Sequence, residues 1–163
     1  MPRRTPAGPG QESVWDYPRP PRLEACDRRI VIVHGGVTLV DSRRALRVLE
    51  TSHPPTYYVP LDDVRPGALE PSPRGSFCEW KGAAAYHHVR AGGALVRDAA
   101  WSYPSPTPAF APMAGYLAFY AAPFDECSVD GERASPQPGG FYGGWVTSHV
   151  VGPFKGEPGT MGW

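Results

Sequence analysis

Short runs of β-branched and aromatic residues, broken by glycine pairs, set the pattern of this chain. Arg29-Ile30-Val31-Ile32-Val33-His34 is apolar, Gly35-Gly36 offers a two-residue turn, and Val37-Thr38-Leu39-Val40-Asp41 returns. This pattern predicts a β-hairpin. In the next run, residues 44–50, Leu46 and Val48 fit period two while Ala45 and Leu49 fit a helix; strand is the favoured reading. Pro54-Pro55 forces extension before a strand at Thr56-Tyr57-Tyr58-Val59-Pro60. Asp62 to Pro73 reads as a polar connector. Strands are expected over residues 76–80, 85–90 and 94–103, the last two joined by Gly92-Gly93. Pro104, Pro106 and Pro108 exclude regular structure, and residues 116–120 form a buried strand. Asp130-Gly131, between Glu126-Cys127-Ser128-Val129 and Arg133-Ala134, is a second hairpin signal. Many short strands at close spacing predict a mostly-β domain, with helix limited to one or two short turns.

The ends differ from this middle. Residues 1–22 hold six prolines and are expected to be extended or disordered. The exception is Ser13-Val14-Trp15-Asp16-Tyr17, whose aromatics can clip onto the body. The β domain is placed at 23–135. Residues 136–163 combine eight glycines and four prolines with five aromatics. Disordered segments are poor in aromatics, so this extension is expected to dock on the domain.

A length of 163 residues suits one domain, large enough to bury a core without disulfides. No run approaches the roughly 18 apolar residues of a membrane span, and MPRRTPAGPGQE lacks a signal-peptide stretch. The expectation is a cytoplasmic protein that does not engage a membrane. Sixteen basic residues balance sixteen acidic ones, which argues against a nucleic-acid partner. Cys26, Cys78 and Cys127 form no CxxC pair, so neither a disulfide framework nor a cysteine-rich zinc site is expected. Lys81 and Lys155 are the only lysines, which singles both out.

Four segments in order carry a resemblance: Val37 to Leu46 with Leu49-Glu50, Pro54 to Pro60 with Asp63-Val64, Cys78-Glu79-Trp80-Lys81-Gly82 with Tyr86, and Ala99 to Pro104 with Ala114 to Tyr120. Together they resemble the domain-of-unknown-function 427 family over about residues 25–134, and Gly139 to Trp145 with Gly152 to Gly156 resembles an extension of some members. The resemblance implies a β-tent-like fold, two antiparallel sheets with a cleft between them. Zinc-binding relatives of that architecture use paired CxxC knuckles, which this chain lacks, so no metal and no cofactor is carried over. A nucleotidyltransferase-like label sometimes attached to the family is set aside. That chemistry needs acidic residues spaced for a divalent metal and a glycine loop opening a helix, and Gly35-Gly36 sits in a hairpin.

Arg44 and Glu50 lie six apart on one expected strand and so share a face. Arg44 would grip an anionic group and Glu50 would act as base; the plain alternative is a surface ion pair. Cys78 and Lys81 bracket Trp80 at a strand end. Cys78 is read as a pocket-lining thiol, more often a small buried hydrophobe than a nucleophile, and Lys81 as an anion-binding ammonium or a solvated amine. Both lysines occur as aromatic-Lys-Gly, so a docked extension would bring two ammonium groups to one ligand; coincidence is the simpler account of the repeat. Tyr86, Trp101 and Tyr103 fall on neighbouring strands, and only one of Tyr57 and Tyr58 can join them, Tyr58 being the one assigned. Each alone reads as core packing, but so many phenol and indole polar groups are hard to satisfy in a dry core. His87 and His88 point to opposite faces and His53 sits in a turn, so they do not read as a metal site.

The leading expectation is a small-molecule pocket protein. An aromatic cleft would bind a polar or anionic planar ligand, with Glu50, Tyr86 or Lys81 available for acid–base work and Arg44, Tyr58, Cys78, Trp101 and Tyr103 holding the ligand. Covalent chemistry at Lys81 or Cys78 is a second reading. The third is an interaction module that uses the aromatic extension or a strand edge.

Overall fold

The computed structural model describes residues 2–163. Its strands are β1 (Glu12–Ser13), β2 (Arg22–Cys26), β3 (Ile30–His34), β4 (Val37–Ser42), β5 (Ala45–Leu49), β6 (Thr56–Tyr58), β7 (Leu69–Cys78), β8 (Gly82–Ala91), β9 (Ala94–Ser102), β10 (Leu117–Phe119), β11 (Glu126–Val129), β12 (Glu132–Arg133), β13 (Ser135–Pro136), β14 (Trp145–Val146) and β15 (Val150–Val151). The only helical pieces among the described residues are short 3-10 turns, the longest being Pro108–Met113. The chain is therefore mostly β, as its turn-punctuated pattern predicts. The β3–β4 tip shows why glycine is needed there: Gly35 and Gly36 take φ of 56° and 74°. A two-residue turn with both central residues at positive φ matches the twist of the strands it joins.

Three antiparallel sheets carry the architecture, ordered β10-β9-β8-β7, β12-β11-β3-β4 and β2-β5-β6. Val59 and Leu117 exchange two backbone hydrogen bonds of 2.8 Å each, which sews the end of β6 to β10. The strands from β2 across to β7 thus continue as one surface with two faces. One face packs Tyr57, Val89, Ala100 and Phe119 against Ile30, Ile32 and Leu39 in the main core. The other gathers Val48, Tyr58, Tyr86, Trp101 and Tyr103 into an aromatic cluster. Strand alternation makes the division, sending Tyr57 to the first face and its neighbour Tyr58 to the second.

Two segments differ from the expected pattern. The connector expected over 62–73 is shorter, because β7 already begins at Leu69 and runs through Pro71 and Pro73. Proline is tolerated there because β7 is an edge strand and its pairing with β8 is irregular between Pro71 and Gly75. The proline-rich arm, expected to be extended or disordered outside residues 13–17, holds a short ladder: β1 pairs in parallel with β15. Val14, Trp15 and Tyr17 follow it into a small cluster with Leu49 and Val150, and the Trp15 indole donates to the Pro153 carbonyl at 2.9 Å.

The extension lies against the body through Trp145. This residue is 2% exposed, donates from its indole to the Phe119 carbonyl at 2.9 Å, and meets the Tyr57 ring at 5.7 Å. Register pairs Trp145 with Pro136, so β13 and β14 close the loop 137–144 into a strap. Among the described residues no helix is long and apolar enough to cross a membrane.

Candidate functional site

The second face of the joined sheets is the floor of a cleft of about 410 Å³. Tyr86 on β8 pairs with Trp101 on β9, and Trp101 pairs with Ala118 on β10. A small residue thus follows two large ones across the row, which leaves the surface concave beside Tyr58. The Trp101 indole donates to the Tyr58 hydroxyl at 3.3 Å across that gap. Tyr103 completes the floor, its ring 6.3 Å from that of Tyr58. The Tyr86 hydroxyl bonds the Ser76 hydroxyl on β7 at 3.1 Å.

One wall is the β7–β8 turn, with Cys78, Glu79, Trp80 and Lys81. Thr107 pins it, donating from its hydroxyl to the Trp80 carbonyl at 2.6 Å and from its backbone to that of Lys81 at 3.0 Å. The Lys81 ammonium sits 5.6 Å over the Tyr103 ring. The opposite wall is built from His53 and from the extension, with Gln137, Tyr142, Gly143 and Lys155. Here the Lys155 ammonium lies 5.5 Å over the Tyr142 ring. Both lysines are half-buried, and among the described residues neither has a carboxylate within ion-pair distance.

Glu50 stands at the foot of this wall. Its carboxylate takes the Arg19 guanidinium at 3.1 Å and faces His53 Nε2 at 3.4 Å. Burial opposes its charge, but the His53 hydrogen bond and the nearby charges of Arg19 and Lys81 outweigh it and hold the carboxyl below its ordinary range. Glu50 is thus ionised at neutral pH, an acceptor of protons or hydrogen bonds and a poor donor.

Gln137 fixes the proton on His53. Its Oε1 accepts the Gly144 backbone N–H at 3.1 Å, while its Nε2 donates to the Lys155 carbonyl and to His53 Nδ1, both at 2.9 Å. The two backbone partners allow one amide orientation, so Nδ1 accepts and the imidazole carries its proton on Nε2, toward Glu50. Burial raises the pKa of Tyr58 and Tyr103, and pushes that of Tyr120 at the cleft edge up to about 12. These phenols keep their protons and serve as donors.

The residues expected from sequence divide clearly. Glu50, Tyr58, Cys78, Lys81, Tyr86, Trp101 and Tyr103 all line the cleft. Arg44 does not, and that expectation is corrected. Arg44 and Glu50 flank β5 instead of lying within it, so the period-two argument does not reach either. Arg44 instead forks onto Asp63, with contacts of 2.7 and 3.2 Å, on the outer surface. Sequence reasoning gave no role to His53 or Gln137 as a pair. Lys155 did carry a signal, the repeated aromatic-Lys-Gly. Among the described residues no group of His, Cys, Asp and Glu gathers to hold a metal.

The strap meets the floor without clearance. A Cβ on Gly143 would collide with the six-membered ring of Trp101. Gly143→Ala should lift the strap and cost roughly 1–3 kcal/mol. Faster hydrogen exchange confined to 139–144 is the expected signature, and unchanged exchange would show that the strap does not rest on Trp101.

No curated protein matches the chain. A family model described as a domain of unknown function (DUF427) matches residues 22–130, which span every strand of the cleft floor but stop short of the strap and Lys155. The match covers more than half of the chain, so the protein belongs to the DUF427 family.

Proposed function

We propose that the protein binds a planar anionic small molecule in the aromatic cleft. The observation that carries this reading is the pairing of a tyrosine- and tryptophan-lined floor with half-buried ammonium groups that have no carboxylate partner. A flat ligand would enter between the aromatic floor and the β7–β8 wall, receive hydrogen bonds from the phenols, and place its charge at Lys81. Glu50, ionised and oriented by His53, is the group available to take a proton from the bound molecule.

Calorimetric titration with 1-naphthalenesulfonate tests this. Wild type should bind it, and Lys81→Met should bind about tenfold more weakly, a loss of roughly 1.4 kcal/mol. Equal affinity in the two proteins would remove Lys81 from the site.

One observation favours a second reading, strand addition by a partner. β7 is a sheet edge, and Phe77 on it is 77% exposed. Phe77 also borders the cleft, so Phe77→Ser, which adds no charge there, separates the two: it should abolish binding of a strand partner and weaken the naphthalenesulfonate far less than Lys81→Met does.

A further inference from the structure

Lys81 and Lys155 reach the cleft from different parts of the chain. Lys81 sits in the β7–β8 turn, inside the family segment, and Lys155 in the extension, outside it. Each ammonium rests over its own tyrosine, at 5.6 Å for Lys81 on Tyr103 and 5.5 Å for Lys155 on Tyr142. The backbone holds Lys155 in place from two sides: its N–H donates to the Ser52 carbonyl, and its carbonyl accepts from Gln137, both at 2.9 Å. Among the described residues no lining carboxylate forms an ion pair with either ammonium. Glu50 is already engaged by Arg19, and Glu79 is exposed in the turn. The cleft therefore keeps two half-buried lysines that no carboxylate among the described residues holds in an ion pair.

We infer that the extension makes this site selective for a dianionic head group on a planar ligand, a phosphomonoester or a dicarboxylate, with Lys155 as the residue that distinguishes it from a monoanion. This rests on the reading of the cleft as a ligand pocket. An ammonium acts as a compact charge with freely turning donors and does not impose the planar fork of a guanidinium. Two of them suit charge that is either concentrated on one phosphate or shared between two carboxylates. In a partly dry cleft the second negative charge of the ligand meets the second ammonium with little screening.

Three probes with one ring system test this at pH 8, where a phosphomonoester with a second pKa of about 6 is a dianion. They are 1-naphthalenesulfonate, 1-naphthyl phosphate and naphthalene-2,3-dicarboxylate. Wild type should bind at least one dianion about tenfold more tightly than the sulfonate, and the stronger of the two identifies the head group. Lys155→Met should weaken the preferred dianion about tenfold more than it weakens the sulfonate, so that the preference is lost. A melting temperature matching wild type confirms that the Met variant keeps its extension docked. Equal affinity of wild type for sulfonate and both dianions overturns the inference and leaves the pocket standing. So does a Lys155→Met variant that keeps the preference. Failure of all three probes to bind wild type removes the pocket reading as well.

Discussion

Trp145→Ala should lower stability by about 3–5 kcal/mol, the range for deleting a buried tryptophan. The indole is 2% exposed between Tyr57 and Phe119, so its removal leaves a cavity against the main core and orphans the Phe119 carbonyl. In a domain of this size that corresponds to a drop in melting temperature of roughly 10 °C. The damage should not stop at the core. Trp145 pairs with Pro136 and so closes the strap, and the strap carries one wall of the cleft. Trp145→Phe keeps most of the packing and loses the N–H donor, and should cost less than half as much. Thermal melts of both variants decide the matter. A Trp145→Ala protein that melts with wild type would mean that the extension contributes no packing to the body.

Arg47→Ala is expected to cost roughly 2–3 kcal/mol, less than the 3–5 kcal/mol of a fully buried pair because its partners keep some access to water. Arg47 is 9% exposed and holds two carboxylates together, Glu12 of the arm and Glu24 of β2. Without it Glu24 keeps only the exposed Arg22, at 3.3 Å, and Glu12 only the Tyr17 hydroxyl and the charge of Arg28, and the arm loses one of its charged anchors. The pH dependence follows with a definite sign. The Arg47 hydrogen bond outweighs burial and lowers the Glu12 pKa below its ordinary 4.5. Its contribution is therefore complete above about pH 4.5 and is lost as pH falls through the lower folded value. Wild type should lose part of its stability below pH 4.5, and Arg47→Ala should show a shallower dependence there. Parallel curves for the two proteins would show that Glu12 gains nothing from Arg47.

Much of this fold was legible from turn chemistry and alternation. Gly35-Gly36, Gly92-Gly93 and Asp130-Gly131 each mark a hairpin because few other pairs accept positive φ twice in succession. Alternation also put Trp101 and Tyr103 on one face, and the β8–β9 register brings Tyr86 beside Trp101 there. It failed at Arg44, where a bend before β5 breaks the period, and at β7, where edge position permits prolines that a central strand would reject. The far wall of the cleft was less accessible for a physical reason. The His53–Gln137 contact joins residues 84 apart across a glycine-rich strap, and no local pattern encodes such a meeting. Only the scarcity of lysine and the repeated tripeptide pointed to Lys155.

The parallel pairing of Glu12–Ser13 with Val150–Val151 also bears on how the molecule assembles. It links segments separated by 138 residues, so closing it early would restrict a long loop of chain for the sake of a very short ladder. The hairpins, by contrast, form between neighbours in sequence and can appear first. The arm and extension therefore wrap a body whose strands are already paired. Since the extension supplies Lys155 and Gln137, the complete cleft is expected to form late in folding: a species with every hairpin in place would still have an open floor and no second wall.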